Sequence, residues 1–118
     1  MMSDAVKLAQ EYFELSNQGK LADIKQLFTP LSTYRSAKTG FYLGTDDIMA
    51  MQTAFFASYK RLHWQVHSVK EVRSGIVLFD FTFTGTSVGG EAVTRSGLEH
   101  VIVYQGKIQH IDVSYHNS

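Results

Sequence analysis

The feature that most constrains this chain is a change in hydrophobic period near His63. Before this residue, apolar side chains recur at three- and four-residue spacing, which is typical of amphipathic helices. After it, apolar and polar residues alternate, and β-branched and aromatic residues dominate, which is typical of strands. A chain that runs through its helices first and its strands second favours an α+β domain, in which the helices cover one face of a curved antiparallel sheet.

Three helices are predicted before the change of period. The first ends at Gly19, because glycine tolerates the left-handed conformation found at helix ends. The second is short and ends before Pro30. The third begins within residues 44–47 and reaches Lys60 and Arg61, whose charges suit the negative end of the helix dipole.

Strands account for most of the remaining chain. Short apolar groups predict one or two brief strands around residues 33–35 and 41–43. Turn residues divide the chain after His63 into four strands, at positions 73–75, 85–90 and 105–107. Strands joined by such short turns pair as antiparallel neighbours. The 118 residues therefore predict one domain, residues 1–118.

The composition excludes several classes of function. Eleven basic residues balance eleven acidic ones, so we expect neither a nucleic-acid nor a membrane partner. The chain has no cysteine, which excludes disulfides and thiolate metal sites. His63 and His67 share a strand face but lack further convergent ligands, so no metal and no cofactor is predicted. Without an apolar run of about 20 residues, we expect a soluble, cytoplasmic protein.

Alternation sorts the strand residues onto two faces. One strand has an aromatic face that we assign to the interior, formed by Val77, Phe79, Phe81 and Phe83. The next strand is largely apolar on both faces, and one layer of helices can cover only one of them. Its outer apolar residues therefore predict a homodimer interface, formed by Leu98, Ile102 and Tyr104.

Glu99 is anomalous because it lies on the inward face of that strand, between apolar neighbours. An isolated buried charge is costly, so the carboxyl group must be neutral, paired or hydrogen-bonded. Two interpretations stay open. Glu99 either forms an ion pair with Arg35 or Arg95 or faces outward, or it is a protonated acid that lines a pocket.

Three segments resemble the nuclear transport factor 2-like superfamily, which includes SnoaL-like polyketide cyclases and ketosteroid isomerases. They are residues 17–21 with Leu27-Phe28, residues 43–48, and residues 81–86 leading to Gly97 and 106–108. The resemblance covers nearly the whole chain. It implies a cystatin-like, cone-shaped α+β barrel, in which three N-terminal helices pack on a curved antiparallel sheet and leave a ligand pocket between them. Dimers are common in such proteins.

The resemblance also implies roles for single residues. In ketosteroid isomerases a tyrosine and a protonated aspartic acid hold an oxyanion, while another aspartate moves the proton. The matching positions are Tyr12 for the tyrosine, Glu99 for the acid and Ser36 for the base. Serine has no useful basicity near neutral pH, so that mechanism is not expected and catalysis stays an open question. The acid–base residue of the cyclases would fall on Asp112 or His110, which requires a bulge to turn either one inward.

Two functions remain open. The first is binding of a small hydrophobic molecule in an apolar pocket, where Tyr12 and Glu99 hold one ligand oxygen; any catalysis would be an isomerase- or cyclase-type reaction beside a carbonyl. The other predicted pocket residues are Tyr34, Met51, Phe55, Trp64, Phe81, Phe83 and Val113. The second function is a non-catalytic dimerisation or assembly module that uses the outer sheet face.

Overall fold

The computed structural model describes residues 2–116. In this part of the chain the elements are α1 (Asp4–Gln18), α2 (Leu21–Lys25), β1 (Thr33–Ser36), β2 (Gly40–Leu43), α3 (Gly44–Ala57), β3 (Tyr59–Arg73), β4 (Ile76–Ser87), β5 (Ala92–Tyr104) and β6 (Lys107–Tyr115). The three helices pack on one six-stranded sheet. The predicted α+β class is confirmed.

The ends of the helices follow local chemistry, with one exception. The hydroxyl of Ser3 accepts a hydrogen bond from the backbone N–H of Val6 and so caps α1, which ends at Gly19 with a φ of 69°. The prediction that α3 reaches Lys60 and Arg61 is wrong, because both lie in β3, where the chain from Tyr59 pairs with the end of β4. Within residues 2–116 no helix is long and apolar enough to cross a bilayer.

The sheet has the order β2-β1-β6-β5-β4-β3. The antiparallel meander β3 to β6 is confirmed, but β1 pairs with β6 in parallel, so the sheet is mixed and its edges, β2 and β3, do not close into a barrel. The start of β1 is tied to the start of β6. The Ser32 hydroxyl donates to the Ile108 carbonyl at 2.6 Å, and the Ile108 N–H donates to the Leu27 carbonyl at 2.8 Å. Two strands that begin side by side run in parallel.

The core lies between the three helices and the concave face of the sheet. The predicted inward face of β4 is buried, and the ring of Phe13 in α1 packs against that of Phe79 with centroids 4.3 Å apart. The register between β3 and β4 shifts at three points, and such bulges increase the bend of a sheet. The concavity that results leaves space beneath α3.

Two contacts set the shape of this concavity. The Asn17 side chain donates to the Trp64 carbonyl at 2.9 Å and accepts from the Trp64 N–H at 2.7 Å, which ties the end of α1 to β3. Gly97 of β5 lies directly against the backbone of β6, since a Cβ atom there would stand 2.1 Å from the carbonyl oxygen of Ser114. Only glycine fits at this position.

Candidate functional site

A cavity of about 70 Å³ lies between α1, α3 and the concave face of the sheet. Since one water occupies about 10–15 Å³ of such space, the cavity has room for a few waters or a compact organic group. The structure brings eight of the nine predicted pocket residues together around it: Tyr12, Tyr34, Met51, Phe55, Trp64, Phe83, Glu99 and Val113. The exposed residues Lys38 and Thr39 mark its opening.

Phe81 is the predicted pocket residue that does not line the cavity. It is 1% exposed and packs in the core, with its ring centroid 6.4 Å from that of Phe13 and 6.2 Å from that of Tyr115. Alternation assigned Phe81 and Phe83 to the same face correctly. Their positions along the strand determine which ring lines the cavity, because α1 covers Phe81 while Phe83 lies near Phe55 and Trp64.

The closed end of the cavity is polar. Tyr12 is 5% exposed, and its hydroxyl accepts a hydrogen bond from Nε2 of Gln52 at 2.9 Å. The other side-chain atom of this amide, Oε1 of Gln52, is buried and has no hydrogen-bond partner among residues 2–116. The sequence analysis missed Gln52, although its position four residues after the buried Ile48 places it on the inward face of α3.

Glu99 shares this polar end. It is 3% exposed on β5, between Phe79 of β4 and Val113 of β6. Neither expected ion pair forms among the described residues, since Arg35 pairs with Asp112 and Arg95 has no acidic partner. Burial, with a smaller contribution from the charge of Asp112, raises the pKa of Glu99 to about 8. The carboxyl group is therefore mostly protonated at neutral pH and is a hydrogen-bond donor.

Three tyrosines add hydroxyl groups to the same space. Burial raises the pKa of Tyr12 and of Tyr34 well above the usual value for tyrosine, and neighbouring acidic groups raise both further. Burial also raises the pKa of Tyr115. All three hydroxyls are protonated at neutral pH. Among the described lining residues, Glu99 is the one carboxyl group, so the site can stabilise a ligand oxygen but offers no carboxylate base at neutral pH.

The positions considered for a catalytic base divide between two faces. Ser36 lines the cavity, so the position that the resemblance gives to a base is in the site but holds a hydroxyl. Asp112 lies on the opposite face of β6, paired with Arg35, and the Nδ1 atom of His110 lies 2.7 Å from the Thr33 hydroxyl. Neither residue lines the cavity. The pairing of β5 with β6 does shift register between Ile108 and His110, but beyond the shift Ile111 and Val113 are the buried residues.

The proposed interface residues lie on the outer face of β5, away from the cavity. Leu98 and Ile102 are half-buried, and Tyr104 is 63% exposed. Within residues 2–116 no group of three histidine, aspartate or glutamate side chains is arranged to hold a metal ion.

A family model described as a SnoaL-like domain matches residues 9–111. No curated protein matches the chain significantly.

Solved structures share the fold over almost the whole chain. An NTF2-like protein of unknown function from Burkholderia pseudomallei is 14% identical, with a TM-score of 0.87, and the match covers 98% of this chain and 92% of that one. A Shewanella putrefaciens protein named as a proposed SnoaL-like polyketide cyclase is 9% identical, with a TM-score of 0.88 and coverage of 98% and 91%. A Catenulispora acidiphila protein of ketosteroid isomerase-like fold, solved with trimethylamine, is 13% identical, with a TM-score of 0.83 and coverage of 94% and 86%. At these identities the likeness shows the fold alone.

Proposed function

The chain belongs to the SnoaL-like domain family, and on that premise we propose that it binds a compact, largely apolar small molecule in the cavity between its helices and its sheet. The observation that carries the proposal is the closed end of the cavity. There, Tyr12 and the protonated Glu99 face a space walled mainly by aromatic and aliphatic side chains.

The polar groups define what such a ligand must offer. A carbonyl, phenol or enol oxygen would accept hydrogen bonds from Tyr12 and Glu99, which burial keeps protonated. The unpartnered Oε1 atom of Gln52 favours a ligand that also donates a hydrogen bond, because an unsatisfied buried acceptor costs about 1–3 kcal/mol. A hydroxyl group on an apolar ring meets both requirements.

An isomerase- or cyclase-type reaction beside a carbonyl is the second candidate. It is favoured by Glu99, since a carboxyl group with a pKa of about 8 is suited to protonate a developing oxyanion at neutral pH. Such a reaction also needs a base, and Ser36 supplies none. We therefore propose that this chain binds its ligand without catalysing a reaction, and that it does so in the cytoplasm.

Trp64 makes the proposal directly testable, because it is the one tryptophan of the chain and it lines the cavity. We would titrate the protein with 4-nitrophenol and follow binding by calorimetry and by Trp64 fluorescence. We expect saturable binding that Tyr12→Phe weakens about tenfold, since a buried hydrogen bond to the ligand oxygen is lost. Tyr104→Phe, which removes a hydroxyl from the outer face, is the matched control. Absence of saturable binding by the wild type would refute the proposal.

The outer sheet face supports a homodimer as a further part of the proposal. Leu98, Ile102 and Tyr104 form an apolar set on β5 that the helices do not cover. Ile102→Arg should convert a dimer into a monomer, because it places an unpaired charge in the interface. Val88→Arg adds the same charge in the exposed turn after β4 and is the control. Light scattering that gives a monomer mass for the wild type would eliminate the dimer.

A further inference from the structure

The cavity continues into a surface groove. Lys38, Arg95 and Tyr115 line both the cavity and an adjoining groove of about 400 Å³, whose other walls are Thr94, Ser96 and His116. The inner cavity is small, so a ligand larger than a few atoms would extend through the opening into this groove. What lies at the opening therefore helps to determine which ligands fit.

The opening is positively charged, although the whole chain carries no net charge. Lys38 and Arg95 both line it, and in the part of the chain that the structure describes neither side chain forms an ion pair. Arg35, by contrast, is neutralised by Asp112. Among residues 2–116, no aspartate or glutamate side chain lines the groove beside these two cations.

Arg95 is oriented toward the cavity. It pairs with Phe83 across β4 and β5 and so lies on the same concave face as that buried ring. Burial and Glu99 raise the pKa of the Tyr115 hydroxyl, whereas the positive charge of Arg95 lowers it, which means that the guanidinium lies within electrostatic reach of that hydroxyl. The inner polar end and the basic opening therefore face the same space.

We propose that the ligand is a small carboxylic acid, with its apolar body and a hydroxyl or carbonyl oxygen in the cavity and its carboxylate between Lys38 and Arg95. This inference rests on the proposed function and narrows it to one class of ligand. Arginine binds a carboxylate through two parallel hydrogen bonds, and lysine adds a second charge. Because Lys38 is exposed, part of this attraction is screened by salt.

Two probes that differ in charge and share a ring and hydroxyl test the inference. They are 4-hydroxyphenylacetate and its neutral amide, 4-hydroxyphenylacetamide, each titrated into the full chain by calorimetry at low and high salt. We expect the acid to bind at least about tenfold more tightly than the amide at low salt, as for a charge-assisted hydrogen-bonded pair, with a smaller ratio at high salt. Arg95→Gln and Lys38→Gln should each reduce the ratio. Lys25→Gln, which removes the same charge from exposed α2, should not.

The outcomes separate the two proposals. Equal binding of acid and amide, or failure of both while 4-nitrophenol binds, overturns the carboxylic-acid inference and leaves the proposed cavity intact. Failure of all three probes overturns the proposed function and the inference together. A preference for the acid that Lys25→Gln reduces as much as Arg95→Gln does would also overturn the inference, because general electrostatic attraction would then explain it.

Discussion

The pKa of Glu99 makes a quantitative prediction about stability. The folded protein holds the proton of this buried carboxyl group to about pH 8, whereas an unperturbed glutamate releases it at 4.5. Between these two values the folded state binds one more proton than the unfolded chain, so the free energy of unfolding falls as pH rises. The slope is about 1.4 kcal/mol per pH unit, and the interval spans about 3.5 units, which gives a loss of about 5 kcal/mol.

Glu99→Gln tests this value because glutamine keeps the shape and a hydrogen-bond donor but cannot ionise. We would measure the free energy of unfolding in urea from pH 5 to pH 9 for both proteins. Titrations that the two share cancel in the difference. The free energy of unfolding of Glu99→Gln, minus that of the wild type, should rise by about 4–5 kcal/mol between pH 5 and about pH 8. At higher pH this difference should stay constant.

Exposed Glu91→Gln is the control for losing a carboxyl group from the surface, and its stability should follow that of the wild type at every pH. If the curves for wild type and Glu99→Gln run parallel from pH 5 to pH 9, Glu99 is ionised in the folded protein. The account of the polar end of the cavity would then be wrong.

Three further substitutions test the packing that shapes the cavity, each by urea unfolding. Gly97→Ala should destabilise the protein by about 3 kcal/mol or more, because the new Cβ atom would stand 2.1 Å from the carbonyl oxygen of Ser114 and the strands would have to separate. Asn17→Ala should cost about 2 kcal/mol, because two hydrogen bonds to the backbone of Trp64 are lost. Phe79→Ala should cost about 3–5 kcal/mol, because this ring is fully buried.

Each of these substitutions has a matched control in an exposed position. Gly89→Ala places its Cβ atom no closer than 3.7 Å to any neighbour, and Gln18→Ala and Phe41→Ala truncate exposed side chains. All three should change the free energy of unfolding by less than about 0.5 kcal/mol. A control that destabilises as much as its buried counterpart would contradict the packing described for that site.

Local sequence patterns were sufficient to predict which residues of the strands and helices face the cavity. Strand alternation placed Phe83 and Glu99 inward, and helical spacing placed Met51 and Phe55 toward the same space, because both depend only on the geometry of single elements. Alternation could not predict that Phe83 lines the cavity while Phe81 does not. The place along a strand where a helix packs is a tertiary property.

Those patterns could not predict the pairing of strands that are far apart in the sequence. A four-residue strand such as β1 carries no signal for which edge it joins or in which direction. The parallel pairing with β6 is what positions Ser36 at the cavity and Arg35 beside Asp112. Gln52 was missed because hydrophobic periodicity counts a polar residue on a buried face as a mismatch.

The parallel pairing of β1 with β6 also has a consequence for how the protein is made. The two strands join residues 77 positions apart, such as Thr33 and His110. As the chain leaves the ribosome, β1 and β2 emerge early and have no sheet to join until the final strand follows. The cavity needs Tyr34 from β1 and Val113 from β6, so it can form only after β6 has been made. Occupancy by a ligand would then distinguish chains that contain a paired β6 from chains in which β6 has not yet been made.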